Sequence, residues 1–319
     1  MTREKTIAVY YEHPDWFRSL FAELDRRGTP YVRLDARCHR YDAGARGSEY
    51  ALFFNRMSAS AYLRGHGNAI FYTRNYLAHL ERTSTRVVNG SDAFAIETSK
   101  ALQLNLLASL NLPCPRTRII NCPKEALSAA DGLGFPVIIK PNIGGRGAGI
   151  VRYDSERALT AAVEKGQIDL GIDSTALVQE FIPARGGHIT RVETLGGKFL
   201  YAIKVFTSGE NFNLCPAEIC QTEGVAAANE ICLADAPKAG LVVEPYTPPL
   251  EVIAAVERIA EAARMDTGGV EYIVDERDGR LMYYDINVLS NFVADAPRIL
   301  GFDPYACLVD YLEREREVA

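Results

Sequence analysis

Early in the chain, hydrophobic residues come in short β-type runs at 6–11, 31–34, 51–54 and 69–72. One stretch, 16–24, instead carries apolar positions at helical spacing. Strand, helix, strand in that order predicts parallel strands, and a further β-type run at 82–90 closes the unit. Residues 1–95 therefore read as a small α/β domain without a reacting constellation of its own. Arg56 and His66 lie near strand ends in this part, where a solvated or satisfied polar role is preferred to a substrate contact.

Ser91 is placed to cap a short helix, and Thr98, Ser99 and Lys100 open a longer one with Ala101, Leu104, Leu107 and Leu110 on one stripe. After a break at 113–115, a helix at 124–130 leads to a strand at 135–140, a glycine-rich loop and a second strand at 150–153. Asp154 or Ser155 caps the next helix. A strand at 176–182 stops at Pro183, and the loop with Gly186, Gly187 and His188 reads as a hinge. Beyond it, Gly196-Gly197 joins a hairpin of 190–195 and 198–205. Residues 208–247 read as irregular, with Asn211, Asn213 and Glu218 as polar candidates, and 250–264 as an amphipathic helix. A hairpin of 269–275 and 281–287 follows, and the charge run at 313–317 reads as a solvated helix end. The division predicted is an N-terminal α/β domain at 1–95, a central lobe at 96–183 and a C-terminal lobe at 184–319.

Composition narrows the class. The chain has 319 residues, 48% hydrophobic and 24% charged, with a net charge of -6, which suits a soluble globular protein and disfavours nucleic acid as the main ligand. No apolar run approaches the ~20 residues that span a bilayer, so no membrane partner is expected. The N-terminus runs into a strand and not a signal peptide, which makes the cytoplasm the expected location. Seven cysteines form an odd, scattered set without C-x-x-C, so they read as mostly buried reduced thiols and not as disulfides or a zinc site.

Two stretches carry candidate chemistry. At 135–150 a β-branched run ends in Lys140, and Gly144, Gly145, Gly147 and Gly149 then allow backbone amides to crowd an anion before strand resumes. Phosphate loops that run into a helix have a different form, with G-x-x-x-x-G-K-S/T or G-x-G-x-x-G spacing, and neither is present. A plain structural turn is the alternative. In the last hairpin Asp285 and Asn287 share a strand face, and with Glu271 they form an oxygen set suited to Mg²⁺ held against phosphates. The alternative there is polar alternation on an exposed face. Lys100 stands out because a cation in the first turn of a helix opposes the dipole.

In this order, Lys100, the strand and loop at 140–149, Gln179-Glu180-Phe181-Ile182, and the Glu271, Asp285, Asn287 hairpin resemble the ATP-grasp superfamily. The nearest branch is the RimK-type ribosomal-protein glutamate ligases and related carboxylate-amine ligases. The resemblance implies an ATP-grasp fold, α/β with α+β character in two lobes that clasp ATP. Lys100 and Lys140 would hold the α- and β-phosphates, and Gly144, Gly145, Arg146, Gly147 and Gly149 would close over the phosphates. Gln179, Glu180, Phe181 and Ile182 would meet the adenine, with His188 also on the nucleotide. Glu271, Asp285 and Asn287 would bind Mg²⁺, with Mn²⁺ as a substitute, and Arg191, Lys204 and Asn213 would act on the reacting groups. The activity implied is ADP-forming amide or peptide bond formation through an acyl phosphate, with small-molecule carboxylate and amine substrates. A small-molecule kinase and a nucleotide-binding regulator are the alternatives, and a homodimer is common in the superfamily.

Several positions depart from that branch. The metal carboxylates run Glu then Asp where the branch has Asp then Glu, and no acidic residue stands in the run before Arg191. Val205 replaces an arginine, and Leu289-Ser290-Asn291-Phe292 replaces Asn-x-x-Pro-Gly. These changes surround the acceptor site, which favours an amino acid, small peptide or specialised metabolite over a ribosomal tail.

Overall fold

The computed structural model describes residues 4–13, 15–145, 147–206 and 242–319. Of the candidate site residues, Arg146 and Asn213 lie outside the described residues, as do Asn211 and Glu218.

The N-terminal part consists of β1 (Glu4–Tyr11), α1 (Arg18–Arg27), β2 (Tyr31–Asp35), β3 (Tyr50–Arg56), α2 (Gly67–Arg82) and β4 (Arg86–Val88). Its sheet has the order β2-β1-β3-β4 and every pair is parallel, as the β-α-β order predicts. The run at 69–72 is not a strand. It lies in α2, where Ala69, Ile70, Thr73, Tyr76, Leu77 and Leu80 bury one side; so short a run leaves the period open, and the longer stretch decides for helix.

Helices α3 (Ser91–Glu97) and α4 (Lys100–Ser109) lead into the second sheet, built from β5 (Thr117–Ile120), β6 (Val137–Pro141), β7 (Val151–Tyr153) and β8 (Ala176–Glu180). It is antiparallel in the order β5-β8-β6-β7, with α5 (Ala126–Ala130) and α6 (Glu156–Glu164) beside it. The third sheet comprises β9 (His188–Leu195), β10 (Lys198–Phe206), β11 (Val242–Tyr246), β12 (Thr267–Val274) and β13 (Leu281–Asn287), antiparallel in the order β11-β10-β9-β12-β13. Strand β11 falls in the stretch read as irregular. It is an edge strand without a buried residue, so no alternation of buried and exposed positions marks it. After α7 (Leu250–Ala262) and the β12–β13 hairpin, α8 (Ala296–Leu300) and α9 (Pro304–Val318) complete the chain.

Packing ties the parts together. Leu104 and Leu107 of α4 join Val256 and Ile259 of α7 and Tyr283 of β13 in one core, so the helix that begins at Lys100 rests on the third sheet. Leu308, Val309 and Leu312 of α9 join Ile7 and Leu52 of the first sheet and Ile203 and Ile273 of the third in another. Of the cysteines described as free, Cys38 is exposed and Cys114, Cys122 and Cys307 are half-buried, which corrects the expectation of buried thiols. Cys38, Cys114 and Cys122 lie in loops, and Cys307 lies in α9.

One short polar side chain locks the first sheet to the third. Asn89, buried and left-handed at φ 58°, follows β4. Its side-chain oxygen accepts the Asp266 and Thr267 amides at 2.9 and 3.2 Å, and its Nδ2 donates to the Thr267 and Val288 carbonyls at 2.8 and 3.1 Å. Asn also tolerates the left-handed backbone better than most residues. Asn89→Ala strands several buried groups, and a loss on the order of 3 kcal/mol in chemical denaturation is expected. A loss below about 1 kcal/mol would show that the junction does not depend on it.

Candidate active site

The two lysines converge because a single asparagine holds both their elements. Ser99 caps α4 by accepting the Leu102 amide at 3.2 Å. Asn142, just past the end of β6, accepts the Lys100 amide on its carbonyl at 3.2 Å, and the Ala101 amide and Ser99 hydroxyl on its side chain at 2.9 and 3.1 Å. Its Nδ2 donates to Asp173 at 2.6 Å. The start of the Lys100 helix is thus pinned to the exit of the Lys140 strand. Lys140 is 4% exposed, and among the described residues its ammonium has neither a hydrogen bond nor an ion pair. Burial, and then the charge of Lys100, lower its pKa to about 7.

Opposite the lysines a row of charges crosses the third sheet. In the antiparallel register Glu271 on β12 stands between Arg191 on β9 and Asp285 on β13. The ammonium of Lys100 donates to Asp285. Arg191, also buried, donates to Glu193 at 2.6 Å, Glu271 at 3.1 Å and the Ser290 hydroxyl at 2.7 Å. A β-bulge between Glu271 and Tyr272 leaves Tyr284 as the extra residue of β13, and its hydroxyl donates to Glu271 at 2.7 Å. Asn287 donates to the same carboxylate at 3.2 Å. The row needs glycine on β12, because a Cβ at Gly269 would lie 2.8 Å from Arg191 Nε and 2.9 Å from Glu193 Oε1.

The charges set one another's protonation. Burial pushes Glu271 up, against the pull of Arg191, and the facing Asp285 pushes it further. Burial also disfavours the Asp285 carboxylate, but Lys100 and Lys140 outweigh it and hold its pKa below the usual range. Lys100 is raised in turn, because its bond and attraction to Asp285 exceed its own burial penalty. Two opposed carboxylates and the Asn287 amide oxygen are hard donors of the kind Mg²⁺ takes. Among the described residues no cluster of three or more His, Cys, Asp or Glu suits a metal. A Mg²⁺ ion held here would have, among the described residues, the two carboxylates and the Asn287 amide oxygen as donors.

Gly144 and Gly145 line the cavity that Lys100, Arg191, Asp285 and Asn287 also line, about 50 Å³ in volume, with Trp16, Ser58 and Ser60 of the N-terminal part on its other wall. Gly147 and Gly149 are left-handed at φ 73° and 74°, and a Cβ at Gly149 would press on Pro141 at 2.9 Å. At the hinge, Gln179 donates to Thr117 at 2.7 Å, and the Glu180 carboxylate is bound by Arg116. The Glu180 and Phe181 amides donate to the Arg116 and Pro136 carbonyls, so neither is available as an amide donor to a base. Ile182 is buried in the core shared by the first and third sheets.

Two candidates stand apart from this set. On β10, Ile203 is the neighbour of Arg191, so strand alternation turns Lys204 to the opposite face, where its ammonium lies 4.4 Å from the Tyr246 ring centroid. His188 shares that parity and packs on Phe206 at 5.1 Å. Of the two roles weighed for Arg56, solvated or satisfied, it takes the second, since it is buried and donates to the Ser290 carbonyl and to Asn291. His66 is bound to Glu12. Sequence reasoning missed Glu193, Ser290, Asn142 and Glu97. Glu97 accepts the Leu289 amide at 2.9 Å, and burial raises its pKa to about 7. Only Glu193 carried a readable signal, two positions from Arg191 and so on the same strand face.

A larger cavity of about 430 Å³ lies among β4, α7 and α9. Its chief charges are already paired, Arg86 with Asp266 and Glu315, and Arg264 with Asp92, so it gathers no comparable set.

The RimK-like ATP-grasp domain family matches residues 97–215. A probable alpha-L-glutamate ligase of Teredinibacter turnerae is 32% identical over 135 residues, which are 42% of this chain and 44% of that protein. The chain thus matches less than half the length of the curated relatives it resembles. Among solved structures, the ATP-grasp ligase PsnB with its minimal precursor superposes with a TM-score of 0.67 at 19% identity, covering 97% of this chain and 99% of that one. The D-alanine–D-alanine ligase of Bacillus anthracis with ATP gives 0.65 at 15% identity, covering 98% and 97%. Residues 97–215 thus match the RimK-like ATP-grasp domain family, and the described residues have the ATP-grasp fold.

Proposed function

We propose that this chain is an ATP-dependent ligase that joins a carboxylate to an amine through an acyl phosphate, releasing ADP and phosphate. The observation that carries the reading is Lys140, a buried amine with no counter-ion among the described residues, set beside Lys100 and facing the carboxylate row. A polyanion accompanied by a divalent cation balances both sides of such a site. The named activities of the Teredinibacter relative and of the structural neighbours support the same reading.

In this reading Lys100 and Lys140 take the phosphates and the glycine loop covers them with backbone amides. The adenine lies at the hinge between the central and C-terminal lobes. Glu271, Asp285 and Asn287 hold Mg²⁺, or Mn²⁺ in its place, and the ion supplies charge neutralisation at the phosphates. A substrate carboxylate oxygen attacks the γ-phosphorus as the bond to the ADP oxygen breaks. The amine nitrogen then attacks the acyl carbon, the carbon–oxygen bond to phosphate breaks, and the nitrogen loses its proton. Positioning and fixed charge carry both steps, so no protein nucleophile is required. Arg191 acts from behind Glu271, with its guanidinium already bound to Glu193 and Ser290. The altered residues at 289–292 favour an amino acid, small peptide or specialised metabolite as substrate, taken up by a cytoplasmic enzyme that works as a monomer or homodimer.

Screening amino acids and dipeptides for substrate-dependent ADP release, with hydroxylamine present, tests the chemistry directly. ADP together with a hydroxamate is expected; a stable phosphorylated product would instead identify a kinase, and ATP binding without ADP a regulator. Lys140→Met and Asp285→Asn should each lower ADP release by about a hundredfold or more while the circular dichroism spectrum is kept. Retention of turnover in either variant would remove that residue from the site.

Proton linkage gives a further expectation. Since Lys140 has a pKa near 7, it is largely neutral at pH 8 and must gain a proton to meet phosphate. Between pH 7.5 and 9, roughly, affinity for ATP in EDTA should therefore fall with rising pH, by at most about tenfold per unit, with proton uptake visible by calorimetry in buffers of different ionisation enthalpy. The uptake should vanish in Lys140→Met; its persistence there would assign it to another group.

A further inference from the structure

The site is neutralised by its own chain in a specific pairing. Lys100, which the proposed function gives to a phosphate, is bonded to Asp285, which the same reading gives to the metal. Both are substantially buried, with side chains 12% and 19% exposed. Lys140 is nearby, carries no partner of its own among the described residues, and lowers the tolerance of the site for a second unpaired cation. Glu271 stands on the other side of Asp285 and is likewise occupied, by Arg191, Tyr284 and Asn287.

We propose that the Lys100–Asp285 pair is a counter-ion exchange that couples metal and nucleotide binding, each ligand releasing the residue that the other needs. A metal ion alone must draw Asp285 away and leave the Lys100 ammonium buried beside Lys140. A nucleotide alone must draw Lys100 away and leave the Asp285 carboxylate buried opposite Glu271 and close to the phosphates. Either half-reaction strands a desolvated charge. When both ligands enter, Lys100 passes to phosphate and Asp285 to the metal, and no charge is left without a partner. The coupling belongs to the protein and adds to the association of metal and nucleotide in solution. By reciprocity each ligand strengthens the other by the same factor.

This inference rests on the proposed function, and its test separates the two. Wild type, Asp285→Asn, Lys100→Met and the double variant are titrated with ATP in EDTA by calorimetry. Asp285→Asn, although it removes a metal ligand, should bind metal-free ATP roughly tenfold more tightly than wild type, because Lys100 is released. In the Lys100→Met background the same substitution should give a clearly smaller gain, the part that comes only from removing a carboxylate near the phosphates. Binding of Mn²⁺ alone, followed by electron paramagnetic resonance, provides an independent arm that does not depend on Asp285→Asn folding. Lys100→Met should bind the ion roughly tenfold more tightly than wild type, and Lys140→Met, which removes a neighbouring charge outside the pair, should gain clearly less. No gain in Asp285→Asn, an equal gain in the Lys100→Met background, or an equal gain in Lys140→Met would overturn the exchange. Failure of the wild type to bind ATP with Mg²⁺ would overturn the proposed function itself.

Discussion

Burial of opposed charge where three parts of the chain meet governs this structure. Lys100 comes from a helix seated on the third sheet, Lys140 from a strand of the second, and Arg191, Glu271 and Asp285 from a row across the third. An ionised side chain taken out of water costs several kcal/mol unless it is paired and hydrogen-bonded. Each of these groups is tolerable only because the others arrive at the same place. The supporting bonds from Tyr284, Asn287, Ser290 and Glu193 distribute the remaining acceptor and donor capacity. Lys140 is the exception, since among the described residues its side chain has no hydrogen bond or ion pair.

Two asparagines do the joining. Asn89 satisfies backbone groups at 266, 267 and 288, and so fixes the N-terminal sheet to the start of β12 and the end of β13. Asn142 does the same for the start of α4 and the end of β6. A short amide side chain suits both places because it offers a donor and an acceptor within reach of the backbone at little conformational cost. The two hubs act on different terms of the site. Asn89 sets the frame in which the carboxylate row meets the N-terminal wall, and Asn142 sets the separation of the two lysines.

The apolar cores follow the same logic. Because α4 packs on α7 and β13, and α9 packs on both the first and third sheets, the junction between parts is itself core and not a thin interface. Such packing resists the rearrangement that would otherwise pull buried charges apart. The glycine loop allows close approach by backbone, with Gly144 and Gly145 lining the cavity and left-handed residues at 147 and 149.

Local order was legible in the sequence because its causes are local. The β-α-β start, the helix opening at 98–100, the glycine turn at 196–197, the final hairpin and the shared parity of Asp285 and Asn287 all follow from periodicity and turn chemistry, whereas the cap expected at Ser91 falls at Gly90 without a side-chain bond. Where periodicity was short or absent, the reading failed: 69–72 is helix, and β11 is an edge strand without buried positions to announce it. What tertiary structure alone decided is which distant residues are partners. The Lys100–Asp285 contact, the hold of Asn142 on α4, the burial of Glu97 and Arg56, and the turning of Lys204 away from Arg191 depend on sheet order, strand register and the packing of α4 on a sheet formed much later in the chain. Spacing along a chain records the period of an element; it does not record which elements meet, because that choice is made by burial of surface that only the assembled fold possesses.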